Sequence, residues 1–259
     1  MPTMQDFTIA STVVRFNRNN RMIFAYQSRP RDMAQYPGVL VLHDVEGLTD
    51  ADRHATRVLA AADYLATGVD LYSRAETPKA DKIKDLADRS KFFAKVPDER
   101  VLDDLDRAWE VFARLHWVAG QKLGILGFGM GAYYALLFAG RCPGVLACAA
   151  VSPRFVLEQA PPKGKDATDL KPVKFETPGT LVNARTDALV VLAGADPELP
   201  ADKAAGLLDL CDRQSFTTQV VRYDAARPRF WDVQAEGHDA ALADAMWQEV
   251  LGYFERKLR

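Results

Sequence analysis

The sequence predicts an α/β fold, with a mostly parallel central sheet and helices on both faces. Three observations lead there. Short β-prone runs alternate with helical stretches along the chain, as β-α-β units do. Several of those runs are apolar throughout, which suits strands covered on both sides. One run ends in a tight glycine-rich turn, Gly127-Phe128-Gly129-Met130-Gly131, that opens directly into an apolar helical stretch.

Taken in order, residues 7–16 are β-prone, Asn17-Arg18-Asn19-Asn20 reads as a turn, and 22–26 as the returning strand of an opening hairpin. Pro37-Gly38 punctuates the chain before the buried run 39–42. Thr49 and Asp50 are cap candidates for an alanine-rich helix over 51–63. A strand at 64–69 ends in Asp70-Leu71-Tyr72-Ser73-Arg74. Helices are expected over 81–93 and 98–116; in the second, Leu102, Leu105, Trp109, Phe112 and Leu115 form one apolar stripe. The run 122–126 leads into the glycine turn and 132–140 leads out. Strands follow at 145–151, 189–193 and 217–223, with helices at 201–214 and 240–258. Residues 153–186 hold five prolines and many charges without a clean period, so they read as a surface excursion. With no repeat or linker, a single domain over 1–259 is expected.

Bulk properties exclude several function classes. A net charge of −2 gives no global field for nucleic acid or anionic lipid. No apolar run approaches membrane-spanning length. The first residues lack the basic-then-apolar pattern of a secretory signal, and the three cysteines show no metal-ligand spacing. Reduced thiols and a cytoplasmic location are expected.

Strand, sharp turn and helix are the setting of a nucleophile elbow, G-x-S-x-G, which lifts a reactive side chain above the sheet. Here its centre is Gly129, so the turn carries no nucleophile. In chain order a hydrolase of this kind needs nucleophile, acid and histidine; Gly129, Asp196 and His238 fall in that order.

In its motifs and their order the chain resembles the dienelactone hydrolase family of α/β-hydrolases. The resemblance rests on Gly38-Val39-Leu40-Val41-Leu42-His43-Asp44 with Gly47, on Asp70-Leu71-Tyr72-Ser73-Arg74, on the elbow, and on Gly194-Ala195-Asp196-Pro197 with Leu199-Pro200. It implies the α/β-hydrolase fold. It also implies that Gly129 stands where relatives carry Cys or Ser. The family's Tyr-x-x-Ala-x-His stretch reads Tyr223 to Pro228, so Pro228 stands at the base position. His238, ten residues on, is expected to be a partly exposed residue at a helix start. Asp196 is then the one triad position retained.

By the same resemblance, the Val45 and Met130 N–H groups form the oxyanion hole. Asp44 replaces a glutamate that interacts with the resting nucleophile. Arg74 matches an arginine that helps hold a substrate carboxylate, and a second such arginine would align near Asp232. His43 is structural, and Glu46 and Trp231 stand at the pocket rim. The expectation is a pseudoenzyme without cofactor or metal, binding a small anionic ligand through Asp44, Val45, Arg74 and Met130, or serving as a protein-partner module. One alternative is an ester or lactone hydrolase with a non-standard set, through Cys148 or through Asp44 and Asp196 acting on water. Another is a dinucleotide site, since Gly127, Gly129 and Ala132 satisfy G-x-G-x-x-A; the acid expected about twenty residues on is absent.

Overall fold

The computed structural model describes residues 8–18, 21–73, 83, 86–95, 97–154, 186–197, 199, 205 and 217–259. Eight strands form one sheet in the order β1-β2-β4-β3-β5-β6-β7-β8. These are β1 (Ile9–Arg18), β2 (Arg21–Pro30), β3 (Tyr36–Leu42), β4 (Leu65–Val69), β5 (Val118–Phe128), β6 (Ala147–Val151), β7 (Asp187–Ala193) and β8 (Thr217–Tyr223). The first two pair antiparallel as a hairpin, and β2 joins β4 antiparallel. From β4 to β8 every pairing is parallel. The described helices are α1 (Asp50–Ala61), α2 (Leu86–Lys95), α3 (Asp98–Phe112), α4 (Met130–Arg141) and α5 (Ala240–Leu258).

Alternation along β3 shows how the sheet makes two cores. Leu40 and Leu42 face one layer, with α3 and α4; Val39 and Val41 face the other, with α1 and α5. All four are fully buried, which is why the run reads as continuous hydrophobe. The α3 stripe packs as its spacing predicts: Leu102, Leu105, Trp109 and Phe112 are buried, and Leu115 packs against them from just past the helix. Helix α4 is buried from Met130 to Gly140, so its apolar character runs all round.

Elements differ from expectation mainly at their ends. Strand β5 spans eleven residues, Val118–Phe128, and begins earlier than the expected 122. Helix α3 stops at Phe112 rather than 116. Helix α2 is described from Leu86; the expected residues 81, 82, 84 and 85 lie outside the described set, as do Arg74, most of 201–214 and residues 155–185 of the excursion. Thr49 is the N-cap of α1, with the Asp52 carboxylate accepting from its N–H and hydroxyl, both at 2.8 Å.

The parallel strands all present their C-terminal ends on one side. Loops after β3, β5, β6 and β7 meet there, where open α/β sheets place ligands.

Candidate functional site

The elbow keeps its geometry. Gly129 has φ +53° and ψ −113°, a left-handed conformation that an L side chain tolerates poorly. Its N–H donates to the Val151 carbonyl at 3.0 Å, and its own carbonyl accepts from Arg154 N–H at 3.0 Å. A Cβ added at Gly129 would stand 2.2 Å from Asp44 Cγ and 2.3 Å from both carboxylate oxygens. The space a side chain at position 129 would need is therefore filled by the side chain of Asp44.

That carboxylate is held from every direction. Its Oδ1 accepts the N–H of Val45 at 2.8 Å and of Met130 at 2.9 Å. Arg154 Nε donates to Oδ1 at 2.9 Å and Oδ2 at 3.0 Å, and Arg89 Nη2 donates to Oδ2 at 2.9 Å. A carboxylate offers about four lone-pair sites, so this one is saturated. Burial alone would raise the pKa of Asp44, but the Arg154 and Arg89 guanidiniums and the Met130 N–H hold it well below the usual carboxylate range. The structure thus brings Asp44, Val45 and Met130 together, with the Asp44 carboxylate accepting both N–H groups.

Around this core, acids and arginines alternate. Arg89 also pairs with Glu46, Glu46 with Arg229 Nη1 at 2.9 Å, and Arg229 with Asp232. Three carboxylates and three guanidiniums, counting Arg154, sum to no formal charge. Arg229 sits at φ +57° directly after Pro228, so its ion pairs are made on a strained backbone. Burial and the charge of Asp44 push Glu46 above its usual range despite its arginines.

Asp196 is buried after β7, and burial pushes its carboxyl up while Arg154 pulls it down. All four histidines are described, and none pairs with Asp196. His43 accepts Leu71 N–H at Nε2 (2.9 Å) and donates from Nδ1 to the Asp44 carbonyl (2.6 Å), a structural bridge under the loop. His238 is half-buried beside the N-cap of α5, its Nδ1 bonded to the Phe230 carbonyl at 3.1 Å. Trp231 stacks on Phe128 at 5.3 Å and closes the rim. Between Asp44, Glu46, Phe128, Arg229, Trp231 and Asp232 there remains about 10 Å3, the space of one water at most.

Arg89 and Arg154 are not singled out by the sequence. Arg89 lies on a helix, where a charge normally reads as a solvated face. Arg154 follows a buried strand end, and that position is the available hint.

The arrangement has a known frame. The model of the Dienelactone hydrolase family matches residues 23–258. The chain belongs to the dienelactone hydrolase family. Among its relatives is a "Putative carboxymethylenebutenolidase" of Methylorubrum extorquens, 24% identical over 94% of this chain and 80% of that one. Another is a "Probable 2-oxo-3-(5-oxofuran-2-ylidene)propanoate lactonase" of Bradyrhizobium sp., 27% identical over 95% and 94%. A crystal structure called "Putative Dienelactone Hydrolase", from Klebsiella pneumoniae, superposes with a TM-score of 0.80 at 25% identity, covering 96% of this chain and 99% of its own. Within the described residues of this dienelactone hydrolase relative, no group of three or more His, Cys, Asp or Glu is placed to hold a metal ion, and no helix is long and apolar enough to cross a membrane.

Proposed function

We propose that this member of the dienelactone hydrolase family is a pseudoenzyme, a binding module that does not hydrolyse esters or lactones. The observation that carries the reading is the Asp44 carboxylate seated on the Val45 and Met130 N–H groups, over a Gly129 that has no side chain. Loss of a nucleophile or base alone costs a triad enzyme up to about a millionfold. The roughly 10³-fold that usually survives comes from the oxyanion hole and binding. With a resident carboxylate in the hole, that residue of activity goes too.

What such a module binds follows from the same geometry. A small acid entering the hole competes with Asp44, and Arg74 remains the proposed second contact. A protein partner on the surface is the other form of the module. Two observations weigh against the alternatives. Cys148 is fully buried within β6, as an inert cysteine is. A dinucleotide pyrophosphate at the glycine turn would face the Asp44 carboxylate at the place where backbone N–H groups should receive it.

The test is purified protein assayed against p-nitrophenyl acetate and a dienelactone, beside an Asp196→Asn variant. Rates at the level of buffer for both proteins are expected. Turnover by the wild type that disappears in Asp196→Asn would refute the proposal.

A further inference from the structure

A second cavity, of about 390 Å3, lies behind Trp231, away from the carboxylate lattice. It opens between the N-terminal halves of α1 and α5 and the loop 231–238. The volume is that of a small-molecule pocket. Two indoles, Trp231 and Trp247, form its apolar walls, and both are fixed by one ring. Trp231 stacks on Phe128 at 5.3 Å and meets Phe230 edge-on at 5.4 Å; Trp247 meets Phe128 edge-on at 6.2 Å. The aromatic surface is thus rigid before any ligand arrives, which lowers the ordering cost of binding.

The polar lining selects a charge. Arg57 of α1 is half-buried in the wall and has no hydrogen bond or ion pair among the described residues. Burial and the charge of Arg57 both push the neighbouring His54 below its usual pKa, so the imidazole stays neutral and leaves Arg57 as the wall's cation. Two carboxylates also line the cavity, but both are exposed at its mouth. Asp50 is 68% exposed and paired with Arg53 at 3.1 Å, and Asp244 is exposed on α5. His238 Nδ1 lies 3.1 Å from the Phe230 carbonyl.

We propose that this cleft is a binding site for a small aromatic carboxylate, with its ring between Trp231 and Trp247 and its carboxylate on Arg57. The site is separate from the elbow, and the proposal holds whether or not the elbow is inert. A planar ring presents its face to fixed indoles, and offset or edge-on contact adds to its burial. The guanidinium gives the carboxylate a two-pronged partner of fixed geometry.

The experiment is calorimetric titration of the full chain with three probes that share a ring system: 2-naphthoate, 2-naphthalenemethanol and 2-naphthylmethylamine. Naphthoate is expected to bind at least about tenfold more tightly than the alcohol, the scale of one charge-assisted hydrogen bond. Arg57→Ala should erase that preference while the alcohol binds as before. This variant removes an unpaired, half-buried side chain and leaves the fold intact, which circular dichroism checks. Ala240→Trp, at the exposed first residue of α5, should fill the cleft and abolish binding of all three. Preference for the amine, an Arg57→Ala protein that keeps its preference for naphthoate, or no heat from naphthoate at millimolar concentration would each overturn the proposal.

Discussion

Removing the Asp44 carboxylate perturbs the most connected group at the candidate site. Asp44→Ala takes away the acceptor for two backbone N–H groups and two guanidiniums. Breaking a buried ion pair from one side costs about 3–5 kcal/mol, because the partner charge stays behind. Orphaned N–H groups cost about 1–3 kcal/mol each when water does not reach them. The vacated carboxylate volume admits water, so about 4 kcal/mol is the expected net loss. For a domain near this size each kcal/mol moves Tm by roughly 2–4 °C, giving a drop of about 8–16 °C. Thermal unfolding followed by circular dichroism reads this directly. Formate or acetate should return part of the loss in the variant and not in the wild type, since ligand at 100 Kd restores about 2.7 kcal/mol.

The pH dependence has a fixed sign. The folded pKa of Asp44 is depressed, so its stabilisation is fully present above the unfolded value of about 3.9 and is lost as pH falls toward the folded one. The gap between wild type and Asp44→Ala should therefore stay constant from pH 9 to 5 and narrow only below about 4. A variant that melts within 2 °C of wild type, or formate that raises both proteins equally, would refute the reasoning.

Three further outcomes are expected. Gly129→Ser should destabilise the wild type by about 1–3 kcal/mol through overlap with Asp44, and by less in an Asp44→Gly background; a urea double-mutant cycle with no coupling would contradict the packing. Arg229→Gly and Arg229→Ala lose the same ion pairs, but glycine relieves φ +57°, so it should be the more stable by about 0.5–1 kcal/mol in denaturant melts. Peptide mapping after thiol labelling should find Cys148 unmodified in native protein and modified in urea.

The fold was readable because its signals are local. Val39 to Leu42 announce a covered strand by composition, and the turn announces itself by three glycines between a strand and a helix. Strand β8 and helix α5 fall on the expected 217–223 and 240–258. Ends were less legible: α3 stops at Phe112, yet Leu115 continues the apolar stripe beyond it, because packing on the core does not require helix. The candidate site divides the same way. The turn at Gly129 is visible in its glycines. The lattice around Asp44 is not, since it joins Arg89 and Arg154 across 45 and 110 positions in the chain, and a charge on a helix or after a strand carries no mark of burial.

Placing a nucleophile at the glycine turn is contingent on order. A hydroxyl or thiol introduced at position 129 first would collide with the resident carboxylate, whereas removing that carboxylate first takes a counter-ion from Arg89 and Arg154. Each single step descends into a valley, and only a concerted change of 44, 89 and 154 crosses it. The carboxylate that knits four segments together thus also bars the route by which an attacking group could enter the turn.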